Sequence, residues 1–340
     1  MLATLLEKLN INYTIFNKGK IGSKILASGN GRCNISNLNF DSKYYHNNRL
    51  AKIIQNNQKE LFDYFKELKI YTKSDDEGRM YPISESSLSV LNILLKNIKK
   101  DIINEEILKI EKKNNSYYLN NNYGPFDKLI LATGSPASFK SFNYDYLKSL
   151  NLKINDFKPS LVGFKTNLNI KKISGVRAKA KTILYNDNKL IHEESGEIIF
   201  KDFGISGIVI MNQSSYYNHL NKIKNPYIKI DLLDKDYDAL DSVLNPKLLE
   251  YINVCNIDPH NFIIPIINTY EMEFAQVAKG GIDLSNLNDN LSLKNDNSIY
   301  AMGEVIDIDG ICGGFNLMNA FCDAIEVYKD IKNEISNKWF

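Results

Sequence analysis

Leu2, Leu5, Leu6 and Leu9 fall at i, i+3, i+4 and i+7, so the chain opens on an amphipathic helix. Asn10 and Asn12 mark a turn, and Tyr13-Thr14-Ile15-Phe16 reads as a short buried strand ended by Asn17. The segment 20–37, KIGSKILASGNGRCNISN, is too polar for core and too glycine-rich for an ordinary helix or strand. Residues 50–70 and 87–103 carry helical spacing, with a turn at 78–84 (GRMYPIS) before the second. From 105 to 131 the pattern alternates as in strands, ending in the apolar step Lys128-Leu129-Ile130-Leu131 that runs into Ala132-Thr133-Gly134.

Beyond Pro159 the texture changes to short strands with polar turns (LVGFKTNL, AKAKTILYN, KLIHEES, GEIIFKDF, YIKIDLL), the spacing of a small β-barrel or sandwich. A helical stretch is predicted over 236–256, and 271–279 returns as a strand into Gly280-Gly281. Ser298–Met302 forms a last strand, followed by the loop GEVIDIDGICGGF and a helix from about Asn316.

Three apolar strands therefore end in glycine-bearing loops: at 19–34, at 132–134 and at 303–314. Ligands of open α/β sheets collect beyond the carboxyl ends of strands, so loops far apart in sequence can meet on one ligand. In the first loop, Gly29 and Gly31 let backbone approach a ligand closely. Arg32 can grip a phosphate or cap a carbonyl, and Ser28 and Asn34 can bond backbone amides or ligand oxygens. Cys33 reads as a small packing residue. In the last loop, Gly313-Gly314-Phe315-Asn316 leads into a helix whose free amides and dipole suit an anion or a polarised carbonyl; an ordinary Asn-capped helix is the alternative. Glu304 can accept from ligand hydroxyls or be a surface carboxylate. Asp307 and Asp309 alternate like metal ligands, but Ile308 and the lack of further oxygen ligands speak against calcium.

Bulk properties narrow the classes. A chain of 340 residues suggests two or three domains at about 150 residues each. A net charge of +2 argues for neither nucleic acid nor an anionic membrane surface as partner. No apolar run approaches the ~20 residues that span a bilayer, and the N-terminus lacks the features of a secretory signal, so a cytoplasmic protein without membrane contact is expected. Four scattered cysteines read as free thiols, and four histidines show no metal-ligand spacing, so no metal is expected.

The run Gly22, Lys24, Ser28-Gly29-x-Gly31-Arg32-Cys33-Asn34-x-Ser36-Asn37 resembles the signature of the FAD-dependent oxidoreductase family that includes aminoacetone oxidase and the bile-acid reductase BaiN. GRMYP at 78–82, ATG at 132–134, Gly196-Glu197 through Phe203-Gly204-Ile205-Ser206-Gly207, Gly280-Gly281-Ile282-Asp283-Leu284 and GEVIDIDGICGGFNL at 303–317 follow in family order. The resemblance implies an α/β, Rossmann-like, discontinuous FAD-binding domain of the two-dinucleotide type. It would comprise 1–158 and 280–340. The segment 159–279 would be an inserted β-barrel-like domain carrying a short helical part at about 236–265.

The resemblance further implies FAD with its adenosine end near Asn17, Lys18 and Ile107. The remainder would be held by Lys24, Ser28, Gly29, Gly31, Arg32, Cys33, Asn34, Ala132, Thr133, Gly134, Gly303, Glu304, Gly313, Gly314, Asn316 and Leu317. Hydride transfer at the flavin N5 to or from a small organic substrate is the implied chemistry. With no second glycine-rich nucleotide motif, NAD(P)H, if used, would be a transient electron donor or would not bind at all. No acid, base or nucleophile declares itself; Arg177, Lys201 and Asp202 lie in insert motifs and read as surface residues.

Two departures from the family pattern stand out. Relatives open on an apolar strand and a Gly-x-Gly-x-x-Gly turn, whose amides receive the pyrophosphate. This chain begins inside the following helix, so roughly 10–15 residues of strand and turn are expected to be lacking. Asn17 stands where relatives carry an acidic residue that accepts from ribose hydroxyls, and it offers only an uncharged carbonyl. Two other function classes remain beside the enzyme: a non-catalytic flavin-binding or RNA-associated flavoprotein, and a truncated inactive remnant.

Overall fold

The computed structural model describes residues 1–139 and 143–337. Residues 140–142 and 338–340, which fall inside the expected segments 1–158 and 280–340, lie outside the described residues. The chain divides into two compact units. The first comprises Met1–Ser135, Ser141–Asp156 and Gly280–Phe340; the second comprises Pro136–Lys140 and Phe157–Lys279.

The first unit carries parallel strand pairing between segments distant in sequence. Ile15–Asn17 pairs parallel with Ile102–Asn104, and Leu129–Leu131 pairs parallel with Asp296–Ala301, Leu129 facing Ile299. Ser292–Leu293 flanks the latter antiparallel. Two long helices pack on each other in this unit, Asn48–Glu67 and Phe315–Asn337. Leu50, Ile53, Ile54, Asn57, Leu61, Tyr64 and Phe65 recur at helical spacing on the buried face of the first of these. Asn47 caps it by accepting from the Arg49 amide at 3.0 Å, and Lys69 in a left-handed conformation (φ 63°) follows its end. The opening helix is short, Leu2–Leu6 continued by a 3-10 turn, and it packs on Phe315–Asn337. One continuous apolar core joins Leu5, Ile54, Phe65, Leu131, Tyr300, Met318 and Ile325.

Several local expectations change. Arg79–Pro82 is a strand, not a turn; it sits between Ser36–Asn37 and Thr72–Ser74, with Pro82 at its end where a missing amide is tolerated. The helix expected over 87–103 stops at Lys96. There Asn97 bonds back to the Ile93 carbonyl through its side chain (2.8 Å), and the chain turns extended at Ile102–Asn104. The first glycine loop contains a short α-helix, Ser23–Ala27, followed by a 3-10 turn, Ser28–Gly31, that holds Gly29 and Gly31.

The second unit is built on a seven-stranded sheet whose neighbouring strands all pair antiparallel. Its longest strands are Arg177–Asn186 and Lys189–Lys201. The edge strands Phe262–Pro265 and Asn268–Thr269 are separated only by Ile266 and Ile267, whose amides donate to Pro226 and Lys165 respectively. The helix in the 236–265 stretch is confined to Pro246–Cys255, started by Asn245 as cap and Pro246 in the first turn. A further helix, Ile208–Asn218, was not legible in the sequence. Val209, Ile210, Asn212, Gln213, Ser214, Ser215 and Tyr217 are all buried on it, so polar and apolar faces are not separated. Two of its side-chain amides donate to neighbouring strands: Gln213 Nε2 to Thr182 Oγ1 at 2.7 Å, and Asn212 Nδ2 to Glu194 at 2.9 Å. Arg177 and Lys201 are exposed; Arg177 pairs with Glu197, and Asp202 accepts from Ser174.

Candidate functional site

The three strand-end loops meet within the first unit. In the first loop the Arg32 amide donates to Gly29 O and the Cys33 amide to Ser28 O, both at 3.1 Å. This coil puts Gly29, Asn30, Gly31 and Cys33 at positive φ. A Cβ on Gly29 would lie 2.8 Å from the Asn34 amide, which explains the glycine there. Strand pairing of Ser36 with Met80 then fixes the loop's exit, so the GRMYP strand acts as its support.

The last loop is tied to the first. Asn37 Nδ2 donates to Gly313 O at 2.9 Å, and Tyr45 OH to Phe315 O at 2.9 Å. The Ile311 amide donates to Tyr44 O at 3.1 Å. Gly314 is pressed against the first loop: a Cβ there would lie 2.3 Å from Ser36 O and 2.5 Å from Asn34 Oδ1. The helix begins at Phe315, and Asn316 lies inside it rather than before it. Its side chain turns back to Gly310, so in place of the alternative Asn cap it acts as a loop clamp.

The middle loop joins at Glu304. Ser135, next after Ala132-Thr133-Gly134, donates from Oγ to Glu304 Oε2 at 2.8 Å, and Lys24 Nζ lies 3.6 Å from the same oxygen. Thr133 is bonded to Tyr146 through their hydroxyls. Glu304, with 19% of its side chain exposed, is therefore the point at which all three loops converge.

Asn17, Lys18 and Ile107 form a separate group at the end of the other parallel pair. Asn17 Nδ2 donates to Gly19 O at 2.9 Å, the Gly19 amide donates to Asn104 Oδ1 at 3.0 Å, and Lys18 pairs with Glu106 at 2.8 Å. Ile107 and Leu317 are half-buried against the core. Arg32 stacks its guanidinium 4.9 Å from the centre of the Tyr81 ring. Burial pushes the Cys33 thiol up, which makes it a packing residue rather than a nucleophile. Asp307 accepts from Asn155 Nδ2 at 2.7 Å and from the Gly280 amide at 2.7 Å, so its oxygens are already engaged structurally.

A buried demand for donors marks this region. Asn34 Oδ1 and Ser36 Oγ are buried and have no hydrogen-bond partner among the described residues. Orphaned buried acceptors are rare because each costs about 1–3 kcal/mol. A ligand carrying hydroxyls and an imide N–H answers that demand, so these residues fit FAD. Sequence reasoning missed Asn37, Tyr45, Ser135 and Tyr146 as partners in the site; Ser135 adjoins the ATG signal and Asn37 closes the first motif, but their partners are distant in sequence.

Parallel strand pairs, with glycine loops gathered at their ends and a long helix starting from one of them, define a Rossmann-type α/β protein. The chain belongs to the HI0933-like protein Rossmann domain family, which matches residues 1–329 and is a family of FAD-dependent oxidoreductases. It is similar to the 3-dehydro-bile acid delta(4,6)-reductase of Clostridium scindens, at 28% identity over 89% of this chain and 88% of that protein. It is also similar to the ribosomal RNA dihydrouridine synthase of Escherichia coli, at 22% identity over 93% of this chain and 91% of the relative. Among solved structures, an Escherichia coli quinol fumarate reductase subunit matches with a TM-score of 0.47 and 12% identity, covering 98% of this chain and 68% of that one. No helix among the described residues is long and apolar enough to cross a membrane.

Proposed function

We propose that the first unit binds FAD and that the protein oxidises or reduces a small organic substrate. The observation that carries this reading is the convergence of three loops on Glu304, with the buried Asn34 Oδ1 nearby in the first loop left without a partner among the described residues. The bound flavin would give or take a hydride at N5. Glu304 and Asn34 would accept from ligand donors, and the glycines at 29, 31, 313 and 314 would let backbone approach it. The N-terminus of the helix Phe315–Asn337 would stabilise negative charge that develops nearby. Asn17, Lys18 and Ile107 would flank the adenosine end, and NAD(P)H would be a transient electron donor. We read the second unit as a barrel-like insert, because Ile266 and Ile267 carry the chain directly from one edge strand of its sheet to the other.

The substrate class we favour is a carbon–carbon double bond made electron-poor by a nearby carbonyl. The reactions named for the two relatives, a delta(4,6)-reductase and a dihydrouridine synthase, both reduce a double bond. The second relative gives one alternative support: a uracil ring within RNA. The net charge of +2 favours the small molecule.

The test is the visible absorption spectrum of the purified protein, with the flavin identified after denaturation, followed by NADH and NADPH oxidation in the presence of enones or uracil-containing RNA. A yellow protein that releases FAD and reduces an enone supports the reading. A colourless protein that gains no flavin on incubation with FAD refutes it.

A further inference from the structure

Behind the Gly303–Val305 turn lies an acid that no loop of the site contains. Asp323, on the helix Phe315–Asn337, is fully buried. Its Oδ2 accepts the Gly303 amide at 2.9 Å and Asn319 Nδ2 at 3.2 Å. Its Oδ1 has no partner among the described residues, and neither has Asn319 Oδ1. A buried carboxyl with open lone pairs is costly, and an apolar side chain at this helix position would avoid that cost. What Asp323 supplies in return is its bond to Gly303.

That bond controls the turn. Gly303 has φ 70°, a left-handed conformation outside both the strand before it and the helix behind it. The Met302 amide is held by Leu131 O, and the Gly303 carbonyl by the Ile306 amide. The Gly303 amide itself is held by Asp323, one residue ahead of the carboxylate on which the three loops converge.

We propose that Asp323 is a positioning residue of the flavin site: it fixes the Gly303 peptide and thereby aims Glu304 at the position shared with Ser135 and Lys24. The proposal rests on the FAD reading above.

The experiment titrates the full-length apoprotein with FAD for wild type, Asp323→Ala, Asp323→Asn, Glu304→Ala and the double variant Asp323→Ala/Glu304→Ala, with thermal melts of each. Asp323→Ala is expected to weaken FAD about tenfold. Asp323→Asn is expected to stay within about threefold of wild type, because its oxygen still accepts from Gly303 while its Nδ2 can meet the open Asn319 Oδ1. In the Glu304→Ala background, Asp323→Ala should have no further effect. Asp323→Ala binding like wild type, an equal loss in both backgrounds, or full affinity in Glu304→Ala would each overturn the proposal while leaving the FAD reading intact. A wild type that binds no FAD removes both. If Asp323→Ala does not fold, an Asp323→Asn that folds but binds as weakly as Glu304→Ala overturns the proposal, and one that binds like wild type supports it.

Discussion

Asn316 grips Gly310 with both ends of one side-chain amide: Oδ1 accepts the Gly310 amide at 2.8 Å, and Nδ2 donates to the Gly310 carbonyl at 2.9 Å. The pair shapes the 310–314 loop without help from a regular ladder. Asn316→Ala should cost about 1–2 kcal/mol, since it strands two half-buried backbone groups. Urea unfolding measures the cost, and a parallel FAD titration should show weakened binding.

Gly314 and Gly31 both adopt positive φ, yet they should respond very differently to alanine. A Cβ at Gly314 meets Ser36 O at 2.3 Å, a backbone atom with nowhere to go, whereas nothing lies within 4 Å of one at Gly31. Gly314→Ala should cost about 3 kcal/mol or more through clash and backbone strain together. Gly31→Ala should cost about 1 kcal/mol from strain alone. Thermal melts of the two variants side by side test the contrast; equal losses would contradict the loop-to-loop packing.

Asp323 should make stability fall as pH rises. Burial, with the nearby Glu326 adding to it, pushes its carboxyl from the ordinary 3.8 up to about 7. The folded protein therefore holds this proton more tightly than the unfolded chain. The associated stability is complete below about pH 4 and is lost as pH rises through about 7. Asp323→Asn removes the titration, so the variant should gain on wild type between pH 4 and pH 7, by up to roughly 4 kcal/mol. Urea midpoints at pH 4.5, 6 and 7.5 give the result, and a constant difference across that range would refute it.

Asn155 bridges two carboxylates, donating from Nδ2 to Asp283 at 2.9 Å and to Asp307 at 2.7 Å. Asp283 is half-buried, which opposes ionisation, but bonds from Lys153, Ser285 and Asn155 win and hold its carboxyl well below the usual range. Asn155→Ala should cost about 1–2 kcal/mol. Asn155→Asp should cost more at pH 7, where three carboxylates face one another, and recover part of the loss near pH 4 as one takes a proton. Denaturation at the two pH values separates the cases.

The sequence announced those features that rest on local spacing. The four leucines of the opening helix, the buried face of Asn48–Glu67 and the strand-to-glycine junctions at Asn17, Leu131 and Met302 are all set by nearest neighbours. Ile208–Asn218 escaped because its polar residues are buried and paired with Thr182 and Glu194 on strands, which erases any amphipathic stripe. The helix expected over 236–256 shrinks to Pro246–Cys255, because Asn245 caps it and Pro246 is tolerated only in a first turn. Of the site, the glycine loops were legible because their backbone shape needs glycine. Asn37 with Gly313, Ser135 with Glu304 and Asp323 with Gly303 were not, because a hydrogen bond across 20 to 276 residues leaves no periodic trace.

The pairing of Leu129 with Ile299 sets an order of events during synthesis. When the ribosome has made the first two loops, the strand that completes the pairing and the loop that carries Glu304 are still some 170 residues away. The antiparallel sheet of the second unit uses only the intervening chain, so it can form while the first unit waits. The wait is long in time and modest in free energy, since closing a loop grows dearer only with the logarithm of its length. Until the last helix emerges, Leu50, Ile54 and Phe65 have no complete core to enter, and the nascent protein presents that face to whatever chaperone attends it.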